Sequence, residues 1–481
     1  MNYAMICYLL GSVLKLEALF LLLPCVTGLF YGEYSTSLVY LLTAAFSLLL
    51  GFVIGRTKAP EKRSFYPREG FVTVSLSWIL LSAVGALPFV LSGDIPDYTD
   101  ALFETISGFT TTGASILPLV EAVSHAGLMW RSFTHWVGGM GVIVFMLALI
   151  PSAGGSDMHL MRAESPGPSV GKLVPKVRHS ALILYGIYLL MTVLQVAILI
   201  ITGMPLFDAL TISFGTAGTG GFAVRNSGFA DYTVVQQAVV TVFMILFGIN
   251  FNFYFFLLAK KWKDAFEMEE IRWYLGIIAG SILIITVNIA GRAESLFRAF
   301  HDAAFQVGSI ITTTGFATAD FDNWPQLSRT ILVMLMFIGA CAGSTGGGFK
   351  VSRMLILFKT VRRNINQFIH PHGVRIMKMD GKQLEEEEVR GVSAYLVTYV
   401  VLFAISVLLL AFDDKDLITN FTAVTATFNN IGPGLGVVGP AGNYSSLSVL
   451  SKYVLMFDML AGRLELYPVL LLFVPSVWRK K

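Results

Sequence analysis

Thr110-Thr111-Thr112-Gly113 and Thr312-Thr313-Thr314-Gly315 are the same short string at two distant places in the chain. Two looser copies stand at Ala217-Gly218-Thr219-Gly220 and Asn429-Asn430-Ile431-Gly432. Each copy has a similar apolar and hydroxyl-bearing lead-in: Phe103-Glu104-Thr105-Ile106-Ser107, Leu210-Thr211-Ile212-Ser213, Phe305-Gln306-Val307-Gly308-Ser309 and Val424-Thr425-Ala426-Thr427. One Thr-Gly string is a turn in most proteins. Four, recurring about every hundred residues and always between one long apolar stretch and the next, make an internal repeat of span, short helix, loop and span.

The apolar stretches set the class. The chain has 481 residues, 55% of them hydrophobic and 14% charged, where a soluble domain carries about a quarter charged residues. Runs long enough to cross a bilayer are expected near 4–30, 36–55, 70–92, 127–150, 180–202, 233–259, 273–291, 329–357, 390–412 and 447–475. Segments too short to cross lie near 97–110, 205–217, 297–312 and 414–429, each running into one of the four loops. The expected fold is therefore an all-α polytopic membrane protein. Four pseudo-symmetric repeats surround a central pore, with two additional N-terminal transmembrane helices. The divisions are 1–60 for the two leading helices, then 61–178, 179–265, 266–388 (with a polar segment) and 389–481 for the repeats.

Ten crossings put both ends on one side. Arg56, Lys58, Lys62 and Arg63, then Arg162, Lys172, Lys176 and Arg178, then Lys260, Lys261 and Lys263 crowd the turns after even-numbered spans. Lys359, Arg362, Arg363 and Arg375 follow the eighth, and Arg479-Lys480-Lys481 ends the chain. The opposite loops hold Asp94, Asp97, Asp100, Asp208, Asp231, Asp320, Asp322, Asp413 and Asp414. The positive-inside bias makes both termini cytoplasmic in an inner membrane. The acidic outer face either concentrates cations at an entrance or is merely soluble loop. The basic residues come in short clusters between apolar stretches, so nucleic acid is not an expected partner. Cys7, Cys25 and Cys341 sit in apolar runs without a CxxC pair, which gives neither a disulfide framework nor a zinc site. The N-terminal apolar stretch is too long for a cleaved signal peptide and is followed by many like it, so it reads as a first span.

Non-helical backbone at membrane depth survives only where protein or a water-filled path surrounds it. A re-entrant helix directs its partly negative C-terminus toward the membrane centre. A loop of carbonyls turned one way, which glycine permits, can then replace water around a dehydrated cation, and threonine hydroxyls add oxygens. Four such loops close a ring.

These loops, together with Asn429-Asn430-Ile431-Gly432-Pro433-Gly434, Ala342-Gly343-Ser344-Thr345-Gly346-Gly347-Gly348-Phe349-Lys350 and Gly462-Arg463-Leu464-Glu465, carry a resemblance to the Trk/Ktr/HKT superfamily of potassium transporters. It covers essentially the whole chain, and the two additional N-terminal spans favour the longer Trk branch over the shorter KtrB branch. The resemblance implies potassium uptake, with K+ as the transported ion and no organic cofactor. It places a selectivity filter at Thr110, Thr111, Thr112, Gly113, Gly218, Thr219, Gly220, Thr312, Thr313, Thr314, Gly315, Asn430, Ile431 and Gly432, with the four filter glycines at Gly113, Gly220, Gly315 and Gly432. Some sodium-favouring relatives have serine at the first of these, and glycine here implies potassium. The resemblance also implies a homodimer regulated by a TrkA-like nucleotide-binding ring. Passive conduction and proton- or sodium-coupled symport both remain open.

Gly339, Gly343, Gly346, Gly347 and Gly348 interrupt the eighth span, at a density that breaks a helix; close packing by small residues is the plainer reading. The resemblance makes Gly343, Ser344, Thr345, Gly346, Gly347 and Gly348 an intramembrane gating loop. It makes Arg463 a positive charge below the filter, where the plainer alternative is an ion pair with Asp458 or Glu465. Lys350 either acts like Arg463 or snorkels to the cytoplasmic surface. Lys15 and Glu17 in the first span do not face each other. The charged segment 362–390 is either a partner contact or a solvated linker. Gly434-Leu435-Gly436-Val437-Val438-Gly439 matches a dinucleotide fingerprint but lacks its βαβ context, the glycines before Lys350 do not have Walker A spacing, and His370 and His372 lack co-ligands. No paired carboxylates or nucleophile triad suggest an enzyme.

Overall fold

The computed structural model describes residues 1–56, 67–141, 177–371 and 376–479. Lys58, Lys62, Arg63, Arg162, Lys172, Lys176, His372, Arg375, Lys480, Lys481 and residues 142–150 of the expected fourth span lie outside the described residues. Helices dominate. The only strands among the described residues form a small ribbon, Lys378–Met379 paired antiparallel with Lys382–Gln383.

Among the described residues, six helices are long and apolar enough to cross a membrane: Tyr3–Phe30, Tyr34–Ile54, Arg68–Ser92, Ala181–Ile201, Glu269–Ile289 and Glu386–Asp413. Three other expected spans are broken. The run 233–259 is two helices, Val234–Phe247 and Phe251–Leu258, bent by 89° at Gly248-Ile249-Asn250. The run 329–357 divides into Gln326–Ile338 and Val351–Ile369, with the glycine-rich stretch between them. The last run stops at Arg463, where Glu465 and Leu466 turn left-handed. Hydropathy registers composition and is blind to such breaks, because the residues within them are themselves small or apolar.

The four short helices are present at Tyr98–Phe109, Leu206–Gly218, Leu296–Ile311 and Leu417–Phe428. Three have side-chain caps at the acidic end of the molecule: Asp97, Ser295 and Asp416 each accept a backbone N–H of the first turn. Asp208 occupies the first turn of the other. The helices that follow the loops are capped at the same end by Ser124, by a Thr233–Gln236 capping box and by Ser448. Side-chain caps thus mark the inward turn at three of the four short helices and at three of the four helices after the loops.

Burial runs opposite to that of a water-soluble protein. Leu49, Leu283, Val287 and Leu408 lie on the exterior, while the loop threonines and Asn430 are fully buried. The two leading helices pack closely where a side chain on Gly11 would strike the backbone of Gly51 and Gly55. The chain ends meet: the Tyr3 hydroxyl donates to the Trp478 carbonyl at 2.5 Å. Residues near both ends of the chain therefore sit at one end of the molecule.

Candidate functional site

The four loops share one backbone design. Just beyond the end of each short helix stands a left-handed residue that is not glycine: Thr111 (φ 53°), Thr219 (53°), Thr313 (59°) and Asn430 (54°). The next N–H reaches back to the helix: Thr112 to Ser107 (2.9 Å), Gly220 to Gly215 (2.8 Å), Thr314 to Ser309 (2.8 Å) and Ile431 to Ala426 (2.7 Å). This is the helix-ending turn that usually places glycine at the left-handed position. A branched or amide side chain there costs roughly 1–2 kcal/mol, so each turn is held by its surroundings.

One residue further on stands a left-handed glycine: Gly113 (φ 77°), Gly221 (80°), Gly315 (87°) and Gly432 (97°). This corrects the sequence expectation at one position. The counterpart of Gly113 in the second loop is Gly221, not Gly220; Gly220 occupies the place of Thr112, Thr314 and Ile431. In a Gly-Gly pair no side chain marks the register, and only the backbone bonds reveal it.

The glycines interlock. A side chain on Gly113 would strike the carbonyl oxygen of Gly220, one on Gly221 that of Thr314, one on Gly315 that of Ile431, and one on Gly432 that of Thr112. Each glycine lies against the carbonyl preceding the next loop's glycine, and the fourth returns to the first. The loops therefore form a closed ring in the order one, two, three, four. Asn430 Nδ2 crosses from the fourth loop to Thr112 Oγ1 at 2.9 Å. Hydroxyl pairs Thr110–Thr112 and Thr312–Thr314, both at 2.8 Å, recur in the first and third loops. The Thr111 hydroxyl and the Asn430 amide oxygen are buried without a hydrogen-bond partner among the described residues. Gly113, Gly221, Gly315 and Gly432 together line one cavity of about 180 Å³ that opens between the acidic-end loops.

Several residues behind the ring were not singled out from the sequence. Glu104 accepts from Ser115 Oγ (2.9 Å), the Ile116 N–H (2.9 Å) and Arg131 Nε (2.8 Å), tying the first short helix to the segment leaving its loop. Arg131 stacks on Phe222 at 4.1 Å and donates to the Ala223 carbonyl, which binds the second loop to the first. His135 bridges the Gly108 carbonyl (2.8 Å) and the Phe222 N–H (3.3 Å). Tyr444 donates its hydroxyl to the Gly432 carbonyl at 2.6 Å. A carboxylate and a guanidinium within apolar runs were a visible signal; their partners lie far away in sequence and were not.

The acidic-end carboxylates are mostly in structural use. Asp94 holds Ser124, Asp208 holds Arg225 and Tyr232, Asp322 holds Arg329 and the Gly436 N–H, and Asp413 holds the Ser448 N–H. These four carboxylates are thus engaged in ion pairs and helix-end bonds, which neither cation attraction nor plain solubility anticipated.

The glycine-rich stretch crosses the helical end of the ring. The Gly347 N–H donates to Thr313 Oγ1 at 2.7 Å, Gly346 lies against the Thr312 carbonyl and Gly347 against that of Asn429. The stretch is seated in the break of the 233–259 run: Cys341 N–H donates to the Gly248 carbonyl, Phe251 N–H to the Gly343 carbonyl, and Thr345 Oγ1 to the Phe247 carbonyl. Ser344 and Thr345 are buried, and Gly348 (φ 75°) packs against Gly339. Lys350 is fully buried with Nζ on the Gly346 carbonyl, so it does not reach the surface. Arg463 spans the same region, donating to the carbonyls of Thr345 (2.8 Å), Gly138 (2.6 Å) and Gly139 (2.8 Å). Glu465 pairs with Arg353, and Asp458 accepts from Ser406. Gly218 ends its helix, and a side chain there would strike the His135 carbonyl. Lys15 lies over the Phe52 ring, and Glu17 accepts from Ser47.

The family profile described as TrkH, cation transport protein, matches residues 39–278 and 281–480. The chain is 36% identical over 492 residues to the Trk system potassium uptake protein TrkH of Salmonella typhimurium, with all of both chains covered. It is 32% identical to the Trk system potassium uptake protein TrkG of Escherichia coli, over 98% of each. The crystal structure of the potassium transporter TrkH from Vibrio parahaemolyticus superposes with a TM-score of 0.89 at 32% identity, covering both chains fully. Repeat, ring and full-length likeness agree: this chain is a multi-pass membrane transport protein and belongs to the TrkH cation transport family.

Proposed function

We propose that this chain carries K+ inward across the cytoplasmic membrane, dehydrating it at the ring of four loops and releasing it past the glycine-rich stretch. The carrying observation is the closed cycle of glycine-on-carbonyl contacts at the floor of one cavity. A cation entering from the acidic end meets backbone and threonine oxygens in place of water. Curated relatives named potassium uptake proteins support K+ as the ion.

Gly343, Ser344, Thr345, Gly346, Gly347, Gly348, Lys350 and Arg463 form the gate in this reading. The contacts of Gly346 and Gly347 with the ring support it, as does the guanidinium beside that segment. Both termini face the cytoplasm. The chain is a homodimer, and a TrkA-like nucleotide-binding ring regulates it from the basic end. The test is rubidium or potassium uptake into liposomes holding only this protein, with sodium as competitor. Uptake that follows the K+ gradient alone supports passive conduction; uptake that stalls without a proton or sodium gradient replaces it with symport; no uptake removes the transport reading.

A further inference from the structure

We propose that Glu270 latches the glycine-rich loop shut, and that the Glu269-Glu270 turn transmits the position of the hairpin Lys378–Gln383 to that loop. The proposal rests on reading the loop as a gate. Glu270 is 3% exposed, and a single oxygen, Oε1, accepts two N–H groups: Ala342 at 2.7 Å and Ser352 at 3.0 Å. Those two residues flank the loop, one before Gly343 and one after Lys350. One acceptor therefore pins both ends. The loop cannot lift at either end without leaving a buried N–H unpaired, which is costly.

The neighbouring residue is tied to a different element. The Glu269 N–H donates to Asp380 Oδ1 at 2.7 Å, and its carboxylate accepts from Lys359 Nζ at 2.6 Å. Lys359 Nζ also donates to the Lys378 carbonyl at 2.7 Å. Asp380 and Gly381 form the left-handed tip of the hairpin, at φ 51° and 74°, and Lys359 lies on the helix that leaves the loop. One helical turn thus holds the gate with one residue and a surface hairpin with the one before it. A force on the hairpin reaches the Ala342 and Ser352 bonds through a single peptide unit.

The experiment is K+ flux through the full-length protein in liposomes. Glu270→Ala is expected to raise flux about fivefold or more with K+ over Na+ preference unchanged, since the ring is untouched. Glu270→Gln keeps Oε1 as acceptor and is expected to behave as wild type. Wild-type flux in Glu270→Ala, while deletion of Gly346–Gly348 raises flux, overturns the latch and leaves the gate standing; unchanged flux in both overturns the gate itself. Should the alanine variant not fold, Glu270→Asp withdraws the oxygen by one methylene. Faster hydrogen exchange across 342–352 in that variant supports the latch, and unchanged exchange refutes it. Asp380→Ala is expected to speed the same exchange, and no change there removes the hairpin from the device.

Discussion

Replacing Gly113 with serine probes the ring at its most crowded joint. Two costs are separable. Gly113 has φ 77°, where a side chain adds roughly 1–2 kcal/mol of strain. In addition the new Cβ would occupy the space of the Gly220 carbonyl oxygen, and the backbone cannot hold both. One of four interlocked oxygens must move, and the ring no longer fits the larger ion. If that displacement removes only about 1.4 kcal/mol of the K+ advantage over Na+, the preference falls tenfold. Gly93→Ser is the matched control: its φ is 83° and nothing lies within 4 Å of the added Cβ, so it carries the strain without the collision. Rubidium uptake into liposomes, titrated with sodium, reads both. Gly113→Ser should become sodium-sensitive and Gly93→Ser should not. A folded Gly113→Ser protein with wild-type preference would falsify the ring as the site of selection.

Arg463→Ala removes three donors to carbonyls and a positive charge beside the glycine-rich loop; single-channel recording should show higher conductance, and wild-type conductance would take Arg463 out of the pathway. Glu104→Gln leaves Arg131 buried without its carboxylate and should cost about 3–5 kcal/mol, seen as early thermal unfolding; a melting curve like that of wild type would refute that bracing role. Glu33 lies outside the spans; partial burial raises its carboxyl, but bonds from the His125 and Ala126 N–H groups and His125 Nδ1 outweigh this and hold it below its ordinary value of 4.5. A depressed value means stability that is present above about pH 4.5 and lost as pH falls through the folded value. Glu33→Gln should flatten that acid slope in a melting series, and an unaltered slope would assign it to other groups.

The sequence made the repeat visible because its four copies combine apolar spans with glycine and hydroxyl-rich turns at matched places. The short helices fall within a few residues of expectation, since Asp97, Ser295 and Asp416 mark their starts. The register of the second loop was not legible, because Gly220 and Gly221 are alike until the backbone bonds are seen. Neither were the breaks at 248–250 and after Arg463, which sit inside apolar runs. Glu270 lies in an acidic turn at the start of a span, where a solvated carboxylate is the ordinary expectation, and only the fold brings Ala342 and Ser352 to it.

The first and third loops each carry a hydroxyl pair, while in the second the Thr219 hydroxyl donates to the Gly218 carbonyl and in the fourth the Asn430 amide donates to Thr112. The ring therefore has at most two-fold symmetry, like a rhombus with unequal diagonals and not a square. In the proposed reading, an ion at the axis would meet different polar groups along the two diagonals, and any water it kept would have a favoured orientation. A square-symmetric blocker would meet two kinds of wall.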